Sequence, residues 1–232
     1  MTNFFPFSNE LFFIVFPYLA MIIFLIGTIR RYRNEPYSVS SLSSQFLENR
    51  RHFWGLVPFH YGIVAVLTGH VVAFLLPQQI LQWDSRPLRL YILETGALIF
   101  GLLTVVGLAG AIARRLTVSK VRAVTNVFDW IVLTLLLVQS VSGIYVAVFH
   151  PWGSAWFAAA VSPYLWSLVR FNPALSFVTM MPLAVKFHIV MAYVLIGIAP
   201  FTRLVHILVV PNPYLWRRTQ VVRWYRAAKE IS

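Results

Sequence analysis

Apolar residues in this chain run in long blocks, and the basic residues collect in the polar stretches between them. Five blocks reach the roughly 20 residues that a helix needs to cross a bilayer. They lie near 10–29, 54–77, 91–113, 127–148 and 182–209. The pattern predicts an all-α integral membrane bundle of five transmembrane helices. It forms one domain over 1–232, with a basic tail at 210–232. The first block has no basic residues before it, and Arg30, Arg31 and Arg33 follow it, so it reads as a retained span and not a cleaved signal peptide.

Charge orients the bundle. Arg30, Arg31, Arg33, Arg50 and Arg51 lie between spans one and two, and Arg114, Arg115, Lys120 and Arg122 between spans three and four. Arg203, Arg217, Arg218, Arg223, Arg226 and Lys229 lie at the end of span five and in the tail. Only Arg86, Arg89, Arg170 and Lys186 fall on the other side. Basic loops stay in the cytoplasm, so the N-terminus is expected outside and the C-terminus inside. The longest connection, about 149–181, is rich in Trp, Phe and Pro and is expected along the outer interface.

Composition agrees. The chain is 59% hydrophobic and 11% charged, against about 25% charged in soluble domains. Its net charge of +12 would suggest nucleic acid in a soluble protein, but here it follows membrane topology, and no nucleic-acid partner is expected. There is no cysteine, which excludes disulfides, thiolate-bound clusters and covalent c-type haem.

The candidate chemistry lies in six histidines. His52 and His150 fall at span ends, where a polar group costs little. His60 and His70 share the second span; His188 and His206 share the fifth. These spans run antiparallel, so the four form two pairs at two depths: His60 with His206 near the inner face, and His70 with His188 toward the outer. One intramembrane histidine reads equally well as an interhelical hydrogen bonder. Four, paired across two helices, point to two b-type haems, each iron held by two imidazoles. The spacing is uneven. Ten residues of helix rise about 15 Å, whereas the 18 between His188 and His206 rise about 27 Å if the fifth span is one helix. Helix tilt, a bend at Pro200 or unequal approach to the macrocycles would have to absorb the difference. Gly62 and Gly69 flank the histidines and would let a flat ring approach the backbone.

Other polar residues are candidates for supporting roles. Arg122 and Arg203 could pair with a haem propionate near the inner face, and Lys186 with one of the outer haem; positive-inside anchoring and snorkelling are the alternatives. Asp129 reads first as an acidic residue in a helix's first turn, second as a proton or propionate partner. Glu94 lies near the outer haem's level. Arg86 and Arg89, with Gly69 and His70, are the candidate quinol contacts. A haem-free anchor or a transporter with histidine proton relays is a separate alternative, although no internal repeat supports a transporter.

Particular stretches carry a family resemblance: FPYLAMIIFLIGTIRRYR (16–33), SSQFLE (43–48), PFHYGIVAVLTGH (58–70), SKVRAVTNVFDWIVL (119–133), KFHIVMAYVLIG (186–197) and FTRLVHI (201–207). Together they resemble the gamma subunit of respiratory nitrate reductase, the membrane cytochrome b of that complex. The resemblance implies a multi-pass protein of the cell inner (cytoplasmic) membrane. It implies that His70 and His188 hold a distal haem b, and His60 and His206 a proximal one. It further implies that quinol, menaquinol or ubiquinol, is oxidised near the outer face. Electrons would then pass to an iron–sulfur beta subunit and on to a molybdenum-containing alpha subunit that reduces nitrate. The family often carries a lysine after the second span; this sequence has Arg86 and Arg89 there, and arginine does not simply replace lysine. The same role in another quinol-linked reductase is the nearest alternative.

Overall fold

The structure, a computed structural model, describes residues 6–34 and 50–208. The predicted tail at 210–232, the SSQFLE stretch and the side chains of Arg50, Arg51 and His52 lie outside the described residues.

Among the described residues all regular structure is helical. The order is α1 (Pro6–Glu10), a π turn (Leu11–Val15), α2 (Phe16–Asn34), α3 (Arg50–Leu75), α4 (Pro77–Asp84), α5 (Pro87–Thr117), α6 (Ser119–Ala123) and α7 (Val127–Phe149). Then follow α8 (Gly153–Trp156), a second π turn (Phe157–Val161), α9 (Ser162–Val169), α10 (Ser176–Thr179) and α11 (Leu183–Ile198), with 3-10 turns at Ala199–Phe201 and Arg203–Leu208. Five stretches are long and apolar enough to cross a membrane: Ser8–Asn34, Leu56–Leu75, Pro87–Thr117, Val127–Phe149 and Leu183–Phe201. All five correspond to predicted spans. Large apolar side chains such as Ile26, Val64, Val106 and Val148 are more than half exposed, a surface suited to hydrocarbon.

The spans pack in the order α3, α5, α7, α11, α2. The α3–α5 contact is the closest. A Cβ on Gly62 would lie 2.5 Å from Thr104 Oγ1, and one on Gly107 would collide with the Phe59 backbone. These glycines let two antiparallel helices approach backbone to backbone. Gly62 is therefore committed to helix packing, which corrects the expectation that it leaves room for a macrocycle.

The fifth span departs from a single helix over 182–209. Pro200 lacks the N–H that would continue the ladder, and its ring crowds the preceding turn. α11 stops at Ile198, and Thr202 is extended at φ −125° and ψ −179°. The freed groups are recaptured locally. Arg31 on α2 donates to Pro200 O at 2.6 Å and to Thr202 O at 2.8 Å. The Thr202 hydroxyl donates to Ala199 O at 3.0 Å and accepts from Leu204 N at 3.2 Å.

The connection after α7 also differs from a segment lying only along an interface. Tyr164, Ser162 and Val178 are completely buried, and Tyr164 and Val178 pack with Phe13, Ala20 and Tyr193. Tyr164 Oη donates to Phe13 O in the first π turn at 2.8 Å, and Tyr18 Oη to Leu168 O at 3.0 Å. At the end of α3, where Pro77 prevents continuation, Phe74 O accepts from Ser162 Oγ at 3.0 Å and Trp166 Nε1 at 2.9 Å.

Arg31→Ala removes the guanidinium Nη1 that makes both hydrogen bonds to the break after α11. The expected loss is about 1.5–3 kcal/mol, the scale of hydrogen bonds to a charged group. Thermal unfolding in detergent measures it. Arg31→Lys restores only part, because an ammonium on a flexible stem does not reproduce the fixed in-plane N–H directions of guanidinium Nη1, which makes both bonds.

Candidate functional site

Four histidines from two antiparallel elements meet as two pairs. The His60 and His206 rings have centroids 6.4 Å apart at 63°, and the His70 and His188 rings 6.5 Å apart at 40°. His60 and His70 stand ten residues apart on α3, a rise of about 15 Å. His188 lies in the second turn of α11, which ends ten residues later at Ile198. The 3-10 turn Arg203–Leu208 then carries His206 to the level of His60. The uneven spacing in sequence is thus absorbed by the broken fifth span.

The hydrogen bonds choose the tautomers. His60 Nδ1 lies 2.7 Å from Leu56 O, His70 Nδ1 2.8 Å from Val66 O, and His206 Nδ1 2.6 Å from Arg203 O. A carbonyl only accepts, so each Nδ1 carries the proton and each Nε2 keeps its lone pair. His188 reaches the same state through α7. Ser142 Oγ donates its proton to Gln139 O at 2.8 Å and so accepts from His188 Nδ1 at 2.9 Å. Gln139 Nε2 approaches His188 Nε2 and His188 O, both at 3.3 Å. Gly143 gives the ring its room, since a Cβ there would lie 2.9 Å from His188 Cε1. Phe157 packs edge-on against His70, with centroids 5.4 Å apart.

These pairs suit a metal held from two opposite sides. A metal–nitrogen bond of about 2 Å, plus about 1 Å from nitrogen to ring centre, gives about 6 Å between ring centres across one metal. Both pairs are at about that separation, and an imidazole that donates through Nδ1 offers Nε2 as the ligand atom that haem iron takes; at His188 that atom accepts from Gln139 Nε2 in this structure. Among the described residues no three His, Cys, Asp or Glu side chains cluster as metal ligands. Each pair thus offers two imidazoles to one bound metal.

The nitrate reductase gamma subunit family matches residues 9–225 of the chain. The chain belongs to the nitrate reductase gamma subunit family. It is 33% identical over 220 residues to the nitrate reductase gamma chain of Bacillus subtilis (strain 168), covering 93% of this chain and 98% of that protein. It is 31% identical over 221 residues to the respiratory nitrate reductase 2 gamma chain of Escherichia coli (strain K12), covering 93% and 96%. The nitrate reductase-like protein NarX of Mycobacterium tuberculosis is 30% identical over 228 residues, which is 96% of this chain and 34% of that protein.

In this gamma-family chain the supporting residues are distributed as follows. Arg203, a candidate propionate partner or positive-inside anchor, makes an ion pair with Asp129, Nε to Oδ1 at 2.7 Å, and donates from Nη2 to Val124 O at 3.3 Å. Asp129 also closes a capping box with Asn126 at the start of α7. It serves its own helix terminus, as its position suggested, and ties that terminus to the His206 segment. Arg122 is exposed on α6. Lys186 Nζ donates to Thr179 O at 2.7 Å and reaches Asn9 Oδ1 at 3.4 Å. Arg86 is exposed at the N-cap of α5, and the Arg89 guanidinium lies 5.1 Å over the Trp83 ring. Gly69 borders open space, with nothing within 4 Å of where a Cβ would stand.

Sequence reasoning missed Gln139, Ser142 and Gly143. Their signal was present. Gln139 and Ser142 stand three residues apart in an apolar span, hence on one helix face, with the glycine next to them.

Asp129→Asn weakens the ion pair and the capping box together. The expected cost is about 1–3 kcal/mol, since Arg203 is partly exposed while Asp129 is buried. A double-mutant cycle with Arg203→Met checks it: a coupling of zero would show that the pair does not tie α7 to the His206 segment.

Proposed function

We propose that this chain is the dihaem cytochrome b subunit of a respiratory nitrate reductase, oxidising quinol at the His70/His188 end. The two histidine pairs at 6.4 and 6.5 Å carry this reading. Family membership and the words "respiratory nitrate reductase" in a relative's name supply the reductase. His70 and His188 hold the distal haem b, and His60 and His206 the proximal one. Bound haem would supply one-electron carriers at two depths between quinol and the rest of the complex.

The chain's own residues set the conditions for that chemistry. Leu56 O, Val66 O, Arg203 O and Ser142 Oγ hold each imidazole through Nδ1, so Nε2 would be the atom to ligate the iron, at His188 in place of its contact with Gln139 Nε2. Hydrogen bonds to Nδ1–H also make the imidazoles better electron donors. The open space at Gly69 and the exposed Arg86 and Arg89 provide a place for a quinol head group, menaquinol or ubiquinol, near His70. The excess of basic residues between spans one and two and spans three and four supports an outside N-terminus and a cytoplasmic C-terminus in the cell's inner membrane. An iron–sulfur beta subunit and a molybdenum-containing alpha subunit would then dock at the His60/His206 end. Protons released outside, with electrons drawn inward, would store about 2.3 kcal/mol per charge per 100 mV.

The purified protein should show a b-type alpha band on dithionite reduction, with two haems per chain. His70→Ala and Gly143→Ala should each lose the haem of the same pair and keep the other; His60→Ala should lose the second. Retention of both haems in His70→Ala would refute the pairing.

A further inference from the structure

The end of the bundle that carries His70 also holds a buried acid outside the histidine network. Asp84, the last residue of α4, is 9% exposed, and neither carboxylate oxygen has a hydrogen-bond partner among the described residues. The nearby hydroxyl is spoken for: Ser154 Oγ donates to Glu94 Oε1 at 2.6 Å, and Ser154 N to the same oxygen at 2.7 Å. A carboxylate without donors is costly to bury, which favours its protonated form. Burial pushes its carboxyl above the ordinary carboxylate range; the charge of Glu94 adds to this, and the Ser154 hydroxyl opposes it. Glu94 is the neighbouring carboxylate, with both Ser154 donors on one oxygen and Oε2 left over.

Three elements build this site: α4, α5 and α8. Of the elements packed on α4, α8 and the following π turn carry no ionisable side chain. At this end α5 contributes Arg89, Tyr91 and Glu94, and α3 contributes His70. Depth places it beside the distal pair. Gly62 faces Thr104 and Gly107 faces Phe59, so the α3 and α5 numbers of facing residues sum to a constant. Continued along the helices, this register sets Glu94 opposite Val72, two residues or about 3 Å in rise from His70. Phe157, which touches the His70 ring, lies three residues after Ser154.

We propose that Asp84 and Glu94 form a two-carboxyl relay that accepts the protons released when quinol is oxidised and passes them to water at this end of the bundle. This rests on the quinol-oxidising function proposed above. Quinol loses two protons and two electrons. The electrons would leave to the b haems and finally to nitrate; each proton in turn bonds to a carboxylate oxygen of the relay, and the relay yields a proton to water. Arg86 and Arg89, exposed on the adjoining turn, keep the exit cationic and hydrated.

The test uses the complete reductase in proteoliposomes, with menaquinol and ubiquinol analogues as donors. Asp84→Asn, which mimics the neutral acid in shape, should leave the melting temperature and the dithionite-reducible haem unchanged. It should slow quinol-driven haem reduction about tenfold or more and flatten its pH dependence, as loss of a proton acceptor does. Glu94→Gln should do the same. In the wild type, infrared difference spectra should show a protonated-carboxyl band, absent from Asp84→Asn. Wild-type rates and pH profiles in both variants would overturn the pair while leaving the quinol reading standing. A wild-type complex with two haems that quinol cannot reduce would overturn the quinol reading, and this proposal with it.

Discussion

A straight helix cannot present imidazoles 18 residues apart to partners that sit ten residues apart on a neighbour. The histidine spacing on α3 is fixed by its regular rise, so the fifth span has to give way. It does so at Pro200, and the break is held by Arg31 from the first span and Thr202 within the turn itself. The level of His206 follows from this, and with it the formation of the second pair. The ion pair from Arg203 to Asp129 then pins the same turn to the start of α7.

Around this constraint the other spans have distinct tasks. α5 serves as the close-packed support of α3, through the glycines at 62 and 107. α7 supplies the Ser142 and Gln139 side chains that meet His188. The segment after α7 closes the far end. Its Tyr164 and Trp166 satisfy backbone carbonyls in the first π turn and at the end of α3, places where the helical ladder is interrupted. Regular helices carry the histidines, while irregular turns correct their levels.

The five spans were legible because lipid imposes one dominant rule, a long apolar run, and the pairing of histidines followed from antiparallel spans at matched depths. The break after Ile198 was legible only as the residue Pro200. How the chain would recover depended on Arg31, 169 positions away in sequence, which reads there as a topology charge. Gly62 misled because a glycine beside a histidine fits either a macrocycle or a tight helix contact; the choice is set by Thr104 on another span. Gln139 and Ser142 were visible as polar residues in an apolar run, but their partner could not be named without the packing of α7 on α11. Asp84 stayed unmarked because a carboxylate after Trp83, next to Ser85 and Arg86, looks like ordinary loop chemistry.

The acceptors of the four Nδ1 protons also differ in how far along the chain they lie. Three lie on the histidine's own segment, at Leu56, Val66 and Arg203, so those rings are aimed as soon as their local turns form. The fourth lies on α7, so His188 is aimed only when two separate spans have associated. A packing defect confined to the α7–α11 contact would therefore misdirect one of the four rings and leave the local hydrogen bonds of the other three intact.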